Sequence, residues 1–246
     1  MIKRILVALD PDSDTPIAIR YASDIARHHG AEVVGLAVID TGIIESETRG
    51  GGIGSMYYAE KLRENLTEDT RARAQELISA FESAVVGAGV IHSESVQEGV
   101  PFHRIVEDMK YHDLLVVGRE PHFFYGRPEQ KTQSLALVVK ESSAPTLIVG
   151  ETYRPVRRIL IAYDGSDAAA RTVHYFTYMQ PFGIDLEVEA VHVYSKDREE
   201  SELLLRLLAS YMNPHGFHLK QTSLQGNNAS SVITDYALAS DADLVV

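Results

Sequence analysis

The chain has no cysteine and no tryptophan among its 246 residues. Without thiols there are no disulfides, thiolate zinc sites, iron–sulfur clusters or cysteine nucleophiles. Basic residues are also scarce: 23 Lys+Arg against 35 Asp+Glu give a formal net charge of -12. A surface of that sign repels phosphate backbones and anionic lipid, so we expect no nucleic-acid partner and no membrane partner. Long apolar runs are missing as well. None approaches the ~20 residues that span a bilayer, and the first apolar stretch, Ile5–Leu9, is too short for a signal peptide. A cytoplasmic location is the expectation. What remains is ordinary for a globular protein, with 45% hydrophobic and 24% charged residues. The length is that of one to two domains.

The sequence repeats itself. Arg4-Ile5-Leu6-Val7-Ala8-Leu9-Asp10 returns as Arg158-Ile159-Leu160-Ile161-Ala162-Tyr163-Asp164. Three further echoes follow in the same order: Gly35–Ile39 with Ala190–Tyr194, Gly99 with Gly226, and Asp113–Val116 with Asp243–Val246. Ordered echoes of this kind indicate two copies of one domain. We place the first at 1–150 and the second at 158–246. The spacing between copies shortens after the second echo, so the first copy carries an insertion there or the second a deletion.

Each copy alternates apolar runs with helical periodicity. In the first, Ile5–Leu9, Val33–Ile39, Val90–Val96, Leu114–Val117 and Thr146–Val149 read as strands, the third polar enough to lie at an edge. Helices are predicted from Thr15, with Thr15 as cap and Pro16 in the first turn, to a stop at Gly30, and over 58–86, 101–111 and 132–141. In the second copy the predicted strands are 158–163, 186–193, 218–224 and 244–246, with helices over 168–179, 199–212 and 229–240. The leucines at 203, 204, 207 and 208 are expected in the core. This is the pattern of an α/β protein with two tandem doubly wound parallel sheets. A fifth strand of the second copy would lie beyond Val246, and we expect that copy to be truncated after its fourth strand.

Ligands of such sheets bind at the carboxyl ends of strands where the strand order reverses. Those ends carry Asp10 and Asp164 on the first strand of each copy and Gly118 on the fourth strand of the first. A glycine there lets backbone N–H groups approach a phosphate, and an Asp accepts from a base or sugar. Either Asp also serves as a plain turn residue or helix cap, a reading that recurrence in both copies weakens.

The ordered set of motifs resembles the universal stress protein family: Ile-Leu-Val-Ala-Leu-Asp, Gly-Leu-Ala-Val-Ile-Asp, Glu-Gly-Val-Pro, Asp-Leu-Leu-Val-Val-Gly, Ser-Ala-Pro-Thr-Leu-Ile-Val, and Ala-Tyr-Asp-Gly-Ser in the second copy. The resemblance implies an adenine-nucleotide α-hydrolase-like fold of strand order 3-2-1-4-5. It implies a role in stress responses without established catalysis, and ATP or another adenine nucleotide, with Mg, as the cofactor of those members that bind one. It also implies domains that pair, here as an intramolecular pseudo-dimer or as a homodimer. Carried over residue by residue, it marks Ala8, Asp10, Val38, Ala162, Asp164 and Val193 for base and ribose. The family's phosphate loop, G-x-x-G, nine residues, then G-[ST], is degenerate here. Gly118 matches its first glycine and Thr132 its hydroxyl, but Pro121 and Lys131 replace the other glycines. Proline has no N–H to give and a lysine side chain hinders close approach. Two outcomes stay open. Arg119 and Lys131 supply cationic side chains in place of backbone donors, or the bulky loop Pro121–Gly126 fills the pocket; we expect the second.

Other motifs carry less. Arg49–Ser55 is glycine-rich but is neither a phosphate-loop nor a dinucleotide fingerprint, and reads as a flexible loop or a lid. The ten histidines show no metal-ligand spacing. No nucleophile elbow appears, so no catalytic residue is assigned. The alternatives to a regulatory nucleotide-binding role are an ATP-hydrolysing or nucleotide-dependent enzyme at the same strand ends, and a ligand-free interaction scaffold.

Overall fold

The computed structural model describes residues 1–40, 56–119 and 131–246. They form two compact units, Ile2–Tyr153 and Arg154–Val246, with Met1 grouped with the latter. The first unit runs β1 (Arg4–Ala8), α1 (Thr15–His29), β2 (Glu32–Asp40), α2 (Met56–Ala88), β3 (Ile91–Gly99), α3 (Pro101–Asp108), β4 (Leu114–Gly118), α4 (Lys131–Glu141) and β5 (Thr146–Val149). The helix predicted over 101–111 is thus α3 plus one tighter 3-10 turn, Met109–Tyr111. All neighbouring strands are parallel, in the order β3-β2-β1-β4-β5.

The apolar runs explain this arrangement. β1 and β4 are buried nearly throughout, as strands covered on both faces must be. β3 exposes Ile91 and Val96 and lies at the edge, as its polarity predicts. Alternation sends Leu6, Ala8, Val34, Leu36, Val38, Leu115 and Val117 to one face, where they pack with Ile105, Met109 and Val138. On α2, Ala74, Ile78, Phe81 and Val85 are buried. Gly35 of β2 makes room for Phe81: a Cβ there would lie 2.7 Å from the ring. Helix α1 ends at Gly30, whose φ of 61° suits glycine and whose N–H donates to the Ala26 carbonyl. At its other end the expectation needs correction. Asp14, not Thr15, occupies the cap position, and it makes no capping bond.

The second unit runs β6 (Arg158–Ala162), α5 (Asp167–Met179), β7 (Glu187–Tyr194), α6 (Arg198–Met212), β8 (Leu219–Gln225), α7 (Ala229–Ala239) and β9 (Leu244–Val245). Its parallel order, β8-β7-β6-β9, repeats the first four positions of the other sheet. Ser166, Asp197 and Asn228 cap its three helices, each accepting from an N–H three residues on. The core gathers Ile159, Ile161, Val173, Phe176, Val188, Leu205, Met212 and Phe217. Of the leucines expected inside, Leu208 is buried but Leu203 and Leu207 are 50% and 59% exposed. The inward stripe of α6 instead runs through Ser201, Leu205, Leu208 and Met212.

One difference between the two sheets places a carboxyl in the second. Opposite Leu6 on β2 stands Val34, while opposite Leu160 on β7 stands Glu189. Burial alone would raise the Glu189 carboxyl. The Thr222 and Tyr236 hydroxyls (2.6 and 2.7 Å) and the Lys220 ammonium (3.0 Å) outweigh it and hold the group below the usual carboxylate range.

Candidate functional site

Strand order reverses beside β1 and β4 in the first unit and beside β6 and β9 in the second. The first-strand residues of the two carboxyl edges correspond, Asp10 with Asp164, and differ in burial and bonding.

In the first unit Asp10 follows β1 and is 3% exposed. Its N–H donates to Thr15 Oγ1 at 3.2 Å and its carbonyl accepts the Thr15 hydroxyl at 2.6 Å. The turn between β1 and α1 therefore closes on itself. Ala8 and Val38 belong to the packed core and are 2% and 4% exposed. Gly118, buried at the end of β4, does permit a close approach, but by the protein itself: a Cβ there would lie 2.7 Å from Asp14 Cβ. Asp14 Oδ2 accepts the Arg119 N–H at 3.0 Å. Its other oxygen, Oδ1, is buried with no hydrogen-bond partner among the described residues. The Arg119 residue is exposed. Asp40, at the end of β2, is buried too. Asp14 and Asp40 were not among the expected site residues. The signal for Asp14 was its place before Thr15-Pro16, one residue ahead of the cap chosen.

Lys131 and Thr132 open α4. Their side chains lie outside the described residues, as do the loop Pro121–Gly126 and the segment Arg49–Ser55.

In the second unit Asp164 follows β6 and is exposed. Its Oδ1 accepts the Ser166 N–H at 2.9 Å. Hydrogen bonds from Ser166 hold this carboxyl below its ordinary value, with a small contribution from His192. Ala162 and Val193 are half-buried. Gly226 lets α7 come close: a Cβ there would lie 2.6 Å from Val232 Cγ2 and 3.7 Å from Val193 Cγ1. The carboxyl edge of the second unit thus carries an exposed acceptor, Asp164, and the half-buried aliphatic residues Ala162 and Val193. That chemistry takes the N–H or O–H donors of a nucleoside and the face of its base. A cavity of about 360 Å³, lined by Arg158, Leu160, Glu187, Glu189, Lys220 and Ser240, lies by the strand beginnings and does not belong to this edge.

At the first edge the described residues engage one another. The space beside Gly118 is filled, the Arg119 N–H is engaged by a carboxylate, and two more acids are buried alongside. Among the described residues no three His, Asp or Glu side chains are placed to hold a metal, and no helix is long and apolar enough to cross a membrane.

The fold and these edges define a doubly wound α/β protein of tandem parallel sheets, each with its reversal point beside the first strand. A family model described as the universal stress protein family matches residues 1–150, and the chain belongs to that family. Among solved structures, a universal stress protein from Archaeoglobus fulgidus DSM 4304 aligns with a TM-score of 0.70 at 18% identity, covering 98% of this chain and 83% of that one. A Pseudomonas aeruginosa UCBPP-PA14 protein assigned to the same family aligns at 0.56 and 17% identity, covering 99% and 81%. At these identities the likeness is one of fold. No curated protein sequence matches the chain.

Proposed function

We propose that this universal stress protein is a nucleotide-responsive regulator whose adenine-nucleotide contacts lie on the second unit. One observation carries the reading: Asp164 is an exposed, ionised acceptor at a strand end, while its counterpart Asp10 is buried. Asp164 takes the donors of the ribose or base, and Ala162 and Val193 supply the aliphatic floor. The resemblance adds the stress-response role. A second reading, a ligand-free scaffold, is favoured for the first unit alone, because its own side chains fill the edge.

The test is native mass spectrometry of the purified chain with added ATP and with added adenosine. Both are expected to bind, and Asp164→Ala is expected to weaken each at least tenfold. Binding unchanged by that substitution overturns the proposal.

A further inference from the structure

We propose that the Asp14 carboxylate is a built-in substitute for a ligand anion, which keeps the first unit closed to phosphates. This rests on the reading of the strand ends as nucleotide edges, but concerns the other unit.

Helix-capping aspartates ordinarily accept from an N–H of their own first turn. The second unit behaves so: Ser166 Oγ accepts the Ala169 N–H at 3.2 Å. Asp14 holds the equivalent cap position and turns away from its helix. Its carboxylate crosses to β4, 105 residues along the chain, and takes the Arg119 N–H at 3.0 Å. That N–H directly follows the strand-end glycine, where a backbone donor would meet a bound anion.

The fit is steric as well as electrostatic. Only a glycine at 118 leaves space for the Asp14 Cβ. The residue that resembles a phosphate-approach glycine is therefore used internally. The arrangement is poorly satisfied, since Asp14 is 5% exposed and its Oδ1 has no hydrogen-bond partner among the described residues. The engaged oxygen lies on the backbone donor that directly follows the strand-end glycine, the position an anion would take. Its charge also repels an incoming phosphate.

The informative variant is Asp14→Ser. It installs the capping residue of the second unit and vacates the β4 amide. It is made in the full chain carrying Asp164→Ala, so that binding at the second unit does not mask the result. ATP, inorganic pyrophosphate and adenosine are titrated separately, and the Arg119 amide resonance is followed in each protein. The expected result is at least tenfold tighter ATP and pyrophosphate than in the Asp164→Ala parent, unchanged adenosine, and a displaced Arg119 resonance. Asp14→Gly, which removes the side chain outright, is expected to show the same gain. Unchanged pyrophosphate and ATP affinity in both variants overturns the inference, as does an Arg119 resonance that does not move. An equal gain for adenosine overturns it too, because the opened space then serves a nucleoside and not an anion. The proposed nucleotide edge fails by a different result, ATP binding by the unmodified chain that Asp164→Ala leaves intact.

Discussion

The contact between Gly118 and Asp14 makes a quantitative prediction. Gly118→Ala places a Cβ 2.7 Å from Asp14 Cβ. Carbon atoms rest at about 3.5–4.0 Å, so roughly 1 Å of movement is needed at a site buried on both sides. Overpacking of this kind costs about 1–3 kcal/mol. If Asp14 is pushed off, the Arg119 N–H also loses a charged acceptor, worth about 1.5–3 kcal/mol, although solvent entering the gap would recover part of that. For a unit of this size each kcal/mol lowers Tm by about 2–4 °C. The diagnostic quantity is the coupling with Asp14→Gly, which removes the atom that clashes. A double-mutant cycle should give a coupling energy of about 1–2 kcal/mol, beyond the ~0.5 kcal/mol expected of independent sites. Urea unfolding by circular dichroism supplies the energies. Hydrogen exchange of peptides from Ile2–Tyr153 assigns the transition to the correct unit, because the chain has two. Additive effects would refute the reasoning. They would mean that Asp14 does not occupy the space beside Gly118.

Three further outcomes test the surrounding framework. Gly35→Ala drives a methyl into the Phe81 ring, which is 0% exposed, and is expected to destabilise the first unit by about 1–3 kcal/mol in urea unfolding. Its partner substitution Phe81→Ala empties the same space and is expected to cost about 3–5 kcal/mol. His112 supplies a pH signature. Burial lowers its pKa, against an opposing hydrogen bond in which Nδ1–H donates to the Asp108 carbonyl at 2.7 Å. Its Nε2 is buried with no hydrogen-bond partner among the described residues, so a proton added there finds no acceptor. The neutral form therefore stabilises the fold fully above the unfolded value. That contribution is lost as pH falls from there through the lowered folded value. Thermal unfolding of the first unit between pH 7 and pH 5 should show the loss, and His112→Asn, which keeps a donor and does not titrate, should reduce it. An identical pH profile for the two proteins would contradict the assignment.

The frame of the fold was legible because it rests on local pattern. Val33–Ile39 and Leu114–Val117 are apolar without interruption, which only a strand covered on both faces tolerates, and both lie in strands of the first sheet. Polar β3 belonged at an edge and is there. Legibility declined where one helix has two plausible faces: four leucines in α6 looked equally inward, but the helical stripe selects Leu205 and Leu208 and leaves Leu203 and Leu207 outside. It failed at the first edge for a different reason. Asp10 and Asp164 end the same motif, yet one is buried and the other exposed, and the turns after them differ in length and in what they bond to. Asp14 and Gly118 meet only through the adjacency of β1 and β4. No spacing within either segment announces the contact.

The central proposal is that an adenine nucleotide binds at the Asp164 edge of the second unit and not at the Asp10 edge of the first. Calorimetric titration of ATP into the full chain, compared with Asp164→Ala and Asp10→Asn, tests it most directly. The account predicts at least tenfold weaker binding for Asp164→Ala and an affinity within about twofold of the unmodified chain for Asp10→Asn. Loss of binding in Asp10→Asn with full affinity in Asp164→Ala would contradict it and place the nucleotide on the first unit.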